Sequence, residues 1–161
     1  MANKTGWAAG RLFTDLAWHA GFGSELATLA STATVLSSVI LNNDTGLDQL
    51  VDLGFVGTIA SATIAPGAGV NVWAAYLAPD GTTYGDGRIT STPQTTYQPP
   101  WWQIGFIPIG AGATITTLAG VAPGIALSPG KFKLVAQNLV GFNFLTGQLS
   151  LRSYNQDVNA A

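Results

Sequence analysis

Beyond residue 31 the chain reads as short apolar and β-branched runs cut by glycine and proline, with no sustained helical spacing. The stretch from Thr32 to Asn42 is rich in Thr, Val and Ile and predicts a strand. From Leu50 to Ile64, Val51, Leu53 and Phe55 share one face, and Gly54 and Gly57 would weaken a helix. Ala65-Pro66-Gly67 ends that strand and Val70 to Leu77 forms the next. Pro79-Asp80-Gly81 then turns the chain toward Thr82-Thr83-Tyr84 in an expected hairpin. Tyr84 to Pro100 holds Gly85, Gly87, Pro93, Pro99 and Pro100 with almost no apolar periodicity, the pattern of a long loop. Strand sequence resumes from Trp101 to Ile109, where Pro108 argues for an edge position or a bulge, and continues after Gly110-Ala111-Gly112 from Ala113 to Leu118. Ser128-Pro129-Gly130 opens a strand from Phe132 to Asn138. Gly141 to Leu145 followed by Gln148 to Tyr154 predicts a final hairpin.

Short strands at this spacing predict an all-β fold, an antiparallel β-sandwich of jelly-roll or Greek-key type spanning residues 31–157. Residues 1–30 differ. Leu12, Leu16, Leu26 and Leu29 could support a short helix, but Gly21-Phe22-Gly23 interrupts it, so the segment is expected to be an extended or partly helical N-terminal arm. Trp7, Phe13, Trp18 and Phe22 give that arm apolar area that is unfavourable in water, to be buried on a neighbouring subunit or on its own sandwich.

Composition then restricts the function. The 161 residues fit one domain, yet only 9% are charged against roughly 25% in ordinary soluble proteins, and the formal net charge is -2. A surface so neutral has little repulsion to keep molecules apart, which points to a homo-oligomer whose neutral surface is covered by other subunits. Six Lys and Arg residues spread along the whole length make no cationic stripe, so nucleic acid is not an expected partner. With no cysteine there is no disulfide or thiolate chemistry. Lys4, Arg11, Asp15, His19 and Glu25 interrupt any signal-like apolar run, and later apolar runs are too short to span a bilayer, so no membrane association is expected.

Candidate chemistry is sparse, and the expectation is a protein that is not an enzyme and binds no cofactor or metal. His19 is the only histidine, and nothing near it resembles a nucleophile elbow. Asp44, Asp48 and Asp52 recur every fourth residue, but Gly46, Gly54 and the strand pattern around Val51 spoil a helical carboxylate cluster, leaving turn and solvent-facing aspartates. Asp44-Thr45-Gly46 resembles the active-site triplet of aspartic proteases, although Asn42 and Asn43 separate it from the preceding strand, as in an Asx-type turn. Tyr84, Tyr97, Trp101 and Trp102 form an aromatic group suited to a subunit contact or to stacking on a sugar ring. The interface candidates are therefore Trp7, Phe13, Trp18, Phe22, Tyr97, Trp101 and Trp102.

Near the C-terminus, Leu127-Ser128-Pro129-Gly130-Lys131-Phe132-Lys133-Leu134-Val135-Ala136-Gln137-Asn138, then Gly141, then Gly147 to Asn155, resembles the ending of small virion proteins of tailed bacteriophages. In those proteins a strand ends in Asn, a Gly-containing turn follows and a last strand finishes near a Tyr. Phe142, Phe144 and Leu145 stand where that family often has a small-residue turn. The resemblance implies a capsid decoration (cement) protein or another head- or tail-associated subunit, often trimeric, bound to the major capsid protein or another virion subunit. It would reside in the virion, and in the host cytoplasm before assembly.

Overall fold

The computed structural model describes residues 17–44, 47–95, 97, 99 and 103–155, with the backbone alone of 4–9 and 156–159. Among these residues there is no helix. The strands are β1 (Lys4–Ala9), β2 (His19–Ala20), β3 (Thr34–Leu36), β4 (Leu41–Asn42), β5 (Leu50–Ile64), β6 (Gly69–Tyr76), β7 (Gln103–Pro108), β8 (Gly112–Ala126), β9 (Lys131–Asn138) and β10 (Phe144–Asn159). They build two antiparallel sheets, a β-sandwich. The front sheet runs β1-β10-β5-β8 with β2 also on β10, and the back sheet runs β3-β9-β6-β7 with β4 also on β9. Pairing is nested along the chain: β1 and β2 with β10, β3 and β4 with β9, β5 with β8, β6 with β7.

Period-two alternation explains the core. Val51, Leu53 and Phe55 of β5 point inward, and Leu53 and Phe55 sit beside Leu151 and Leu149 of β10. Across the interior lie Val70, Val72 and Ala74 of β6 and Phe132, Leu134 and Ala136 of β9, all in the same buried cluster. The Phe55 and Phe144 rings meet at 5.0 Å between centroids. Each large apolar side chain buried here contributes about 1.5–3 kcal/mol. Edge strand β7 ends in Pro108, where a missing N–H costs no ladder bond.

Several expectations change. The stretch from Thr32 to Asn42 is two short strands, because the Ser37 hydroxyl bonds the Gly21 carbonyl at 2.7 Å and accepts the Val39 N–H at 2.9 Å, drawing 37–40 out of the ladder. The expected final hairpin is one strand, β10, with a bulge between Phe144 and Thr146; Gly147 lies inside it opposite Gly57. The Pro79-Asp80-Gly81 turn forms, with the Asp80 carboxylate accepting from the Thr83 hydroxyl first and then from the Thr83 and Thr82 N–H groups, which holds its carboxyl down at about 2, but Leu77 and Tyr84 make only an isolated bridge. Residues 21–32 make successive turns and not a helix, with Phe22, Leu26 and Leu29 buried in the chain's own core. The strands β1 and β2 place 4–9 and 19–20 in the front sheet.

Candidate functional site

The two outer faces of the sandwich differ. On the back sheet, the outward residues Trp73 and Ala75 of β6, Val135 of β9 and Leu36 of β3 are buried beneath the chain's own long loop. Ile89 sits among them and Tyr84 and Tyr97 pack alongside. The loop is pinned in three places. Thr34 and Gln94 exchange two backbone bonds of 2.8 Å, the Leu36 N–H donates to the Thr90 carbonyl at 2.9 Å, and Lys133 lies over the Tyr84 ring at 5.0 Å, while within the loop the Tyr97 hydroxyl donates to Asp86 at 2.8 Å. Burial favours the neutral phenol of Tyr97 and the Asp86 carboxylate adds to this, so its hydroxyl titrates well above the ordinary tyrosine range.

Among the described residues no segment covers the front sheet in the same way. Its outward positions fall into rows set by register: Thr146, Thr58 and Thr117; Gln148, Val56 and Ala119; Ser150, Gly54 and Val121. None is ionic. Val56 and Val121 are 57% and 50% exposed, and Thr58 and Thr146 already satisfy one another through a 2.8 Å hydroxyl bond. Trp18, just before β2, reaches across β10 onto Gly54, so closely that a Cβ there would stand 2.8 Å from its ring. Glycine is therefore required for Trp18 to lie against the sheet. Trp18 remains 42% exposed and walls a shallow hollow of about 290 Å³ with Gly54, Val56, Val121, Gln148 and Ser150.

At one end of this face the next row carries a neutralised ion pair. Arg152 donates to Asp52 Oδ2 from Nη2 at 2.6 Å and from Nε at 3.2 Å, while its guanidinium lies 5.0 Å from the Trp18 ring centroid. Asp52 Oδ1 accepts the Gly124 N–H and the Tyr154 hydroxyl, each at 2.9 Å. Burial works to raise the Asp52 pKa, but these donors outweigh it and hold the carboxyl below its ordinary value. Asp48 is equally sequestered, its N–H bonded to Asn43 Oδ1 at 2.8 Å and its carboxylate to Asn155 Nδ2 at 3.0 Å. Both aspartates thus correct the solvent-facing expectation: they are 1% and 4% exposed and tie strands and loops together.

A second concavity, of about 820 Å³, opens at the end of the sandwich beside Asp44, Tyr76, Ile104, Ser128 and Lys131. Asp44 sits in an Asx turn, its N–H bonded to Asn42 Oδ1 at 3.0 Å, while Thr45 and Gly46 lie outside the described residues. His19 is half-buried on β2. Among the described residues no group of three or more His, Asp or Glu side chains could hold a metal, and no helix is long and apolar enough to cross a membrane.

The nominated interface residues separate. Trp18 is on the open face; Phe22, 4% exposed, belongs to the chain's own core; Tyr97 packs in the loop that covers the back sheet. The backbone of Trp7 lies in β1 opposite Gln156, with its side chain outside the described residues, as are Phe13, Trp101 and Trp102. Val56, Val121 and Gln148 were missed. The available signal was that β8 carries no charged residue on either alternating face and β5 carries only Asp52, which a strand with one solvated face rarely does. In comparisons with protein-family models, curated proteins and solved structures, nothing matches the chain.

Proposed function

We propose that the chain is a structural virion subunit, a capsid decoration (cement) protein that stabilises a phage head by bridging capsomers, and that its sandwich is a jelly roll. The observation that carries this reading is the open, nearly uncharged outer face of the front sheet on a chain whose other outer face has its apolar centre, Leu36, Trp73, Ala75 and Val135, covered by its own loop. Surface of that kind is covered in an assembly, and buried interface area with excluded water is then the working mechanism. The nested pairing supports the jelly roll: if β1 with β2, and β3 with β4, each count as one interrupted strand, eight segments pair first with eighth, second with seventh, third with sixth and fourth with fifth. Two Greek keys wound in this way are a recurring architecture of viral capsid and lectin domains. The reading assigns no catalytic step, cofactor, metal, nucleic acid or membrane. It places the protein in the virion, and in the host cytoplasm before assembly.

The test is direct. Purified particles should contain the chain at a stoichiometry comparable to the shell protein by mass spectrometry, and adding the protein to shells that lack it should raise their disruption temperature. Absence from particles, or shells indifferent to it, would defeat the reading. Trp18 favours a second one, glycan or receptor binding, since an exposed indole flanked by Gln148, Ser150 and Arg152 offers a stacking surface with donors beside it. Glycan-array signal abolished by Trp18→Ala would select that alternative.

A further inference from the structure

The open face of the front sheet also has the properties of a contact between two copies of this chain. We infer that two copies stack these faces across a two-fold axis, an inference that rests on the assembly-subunit reading and names the partner of its surface. Charge is the first argument. The described outward rows of β10, β5 and β8 contain no ionic group except Arg152 and Asp52, which neutralise each other, so a copy meets a copy without like-charge repulsion. A charged partner would find nothing complementary there.

Desolvation is the second. The Thr58 and Thr146 hydroxyls are already bonded to one another and Asp52 has donors on both oxygens, so covering these groups costs little, and Thr117, Gln148 and Ser150 are the side chains that bond across the contact. Extent is the third. Three strands about 4.8 Å apart, over the eleven residues of β10 that pair with β5, at about 3.3 Å each, make a face of roughly 520 Å², or about 1,050 Å² for a pair. That reaches the roughly 1,000 Å² a specific interface needs. The shape also fits, because flat sheet faces stack about 10 Å apart with side chains interdigitating, and Trp18, Val56 and Val121 stand up beside a hollow that can receive such groups. In an isologous pair both copies present the same anchors, so each contact occurs twice.

The purified chain should run at twice its 16.6 kDa mass in light scattering at tens of micromolar. Val56→Glu and Val121→Glu should each weaken pairing by roughly tenfold or more and shift the population toward single chains, since each copy then presents an unpaired charge to its equivalent. Their circular dichroism should stay that of the parent because both side chains are exposed. Ile40→Glu, equally exposed but outside these rows, should leave the mass unchanged. A parent at single-chain mass, a parent at three times that mass, or both valine variants keeping the parent mass would each overturn the inference. Shell binding is a separate readout: a single chain that still binds shells sinks the pairing and spares the virion reading, whereas a stable pair absent from particles does the reverse.

Discussion

Asp52→Asn removes a charge from a front-sheet side chain that accepts four hydrogen bonds, while keeping its shape. Asp52 Oδ2 takes two donors from Arg152 and Oδ1 takes the Gly124 N–H and Tyr154 hydroxyl. An amide in that position can still accept at one atom, but its NH₂ group faces donors. Charged hydrogen bonds are worth about 1.5–3 kcal/mol each, yet Arg152 is 38% exposed and can recover water, so the sum must be discounted. A loss of about 2 kcal/mol follows, or roughly 4–8 °C in Tm for a chain of this length. Urea denaturation of the parent, Asp52→Asn, Arg152→Met and the double variant would give both the loss and a pairwise coupling of about 1–2 kcal/mol. The sign of the pH dependence is set by the lowered pKa. Because the folded carboxyl titrates below its unfolded value, its stabilisation is complete above the unfolded value and is lost as pH falls through the folded one. The advantage of the parent over Asp52→Asn should therefore be full at neutral pH and shrink below about pH 4. An Asn variant within about 0.5 kcal/mol of the parent at neutral pH, or a difference that grows on acidification, would refute the reasoning.

Three further substitutions test the packing. Asn43 is fully buried, donating to the Asp48 and Ser128 carbonyls at 3.1 Å each and accepting the Asp48 N–H, so Asn43→Ala should cost about 2–4 kcal/mol in chemical denaturation. A Cβ at Gly120 would run into the Pro108 carbonyl oxygen and Ile107, whereas one at Gly110 meets nothing, so Gly120→Ala should lose at least about 2 kcal/mol and Gly110→Ala stay within about 0.5 kcal/mol. The Ser153 hydroxyl is buried with no hydrogen-bond partner among the described residues, so Ser153→Ala should stabilise by about 0.5–1 kcal/mol, read as a higher Tm.

Much of the fold was legible because strands announce themselves locally. The alternation from Leu50 to Ile64 matches β5 at both ends, and the turn residues around Ser128-Pro129-Gly130 announce β9 within one residue. The Asx turn at Asp44 and the edge position of Pro108 follow from side-chain and ring chemistry that acts over a few residues. The last strand was misread as a hairpin because Gly147 looks like a turn, when what selects glycine is the Leu26 side chain and carbonyl pressing on it from more than a hundred residues away. Asp48 and Asp52 were misjudged for the same reason: their partners Asn155, Arg152 and Tyr154 are distant in sequence and adjacent only across the sheet.

The candidate face divides in the same way. Composition alone required a surface nearly free of charge, and the exposed Trp18 could be nominated from its residue type. Which of the two outer faces the long loop would cover depended on nonlocal contacts: Thr34 with Gln94, and Trp73 and Val135 with Ile89. Alternation tells which residues share a face of a strand, since it is a property of the backbone. It cannot tell what lies against that face, because that is settled by strand order and register, and these are set by the summed packing of segments far apart in the chain.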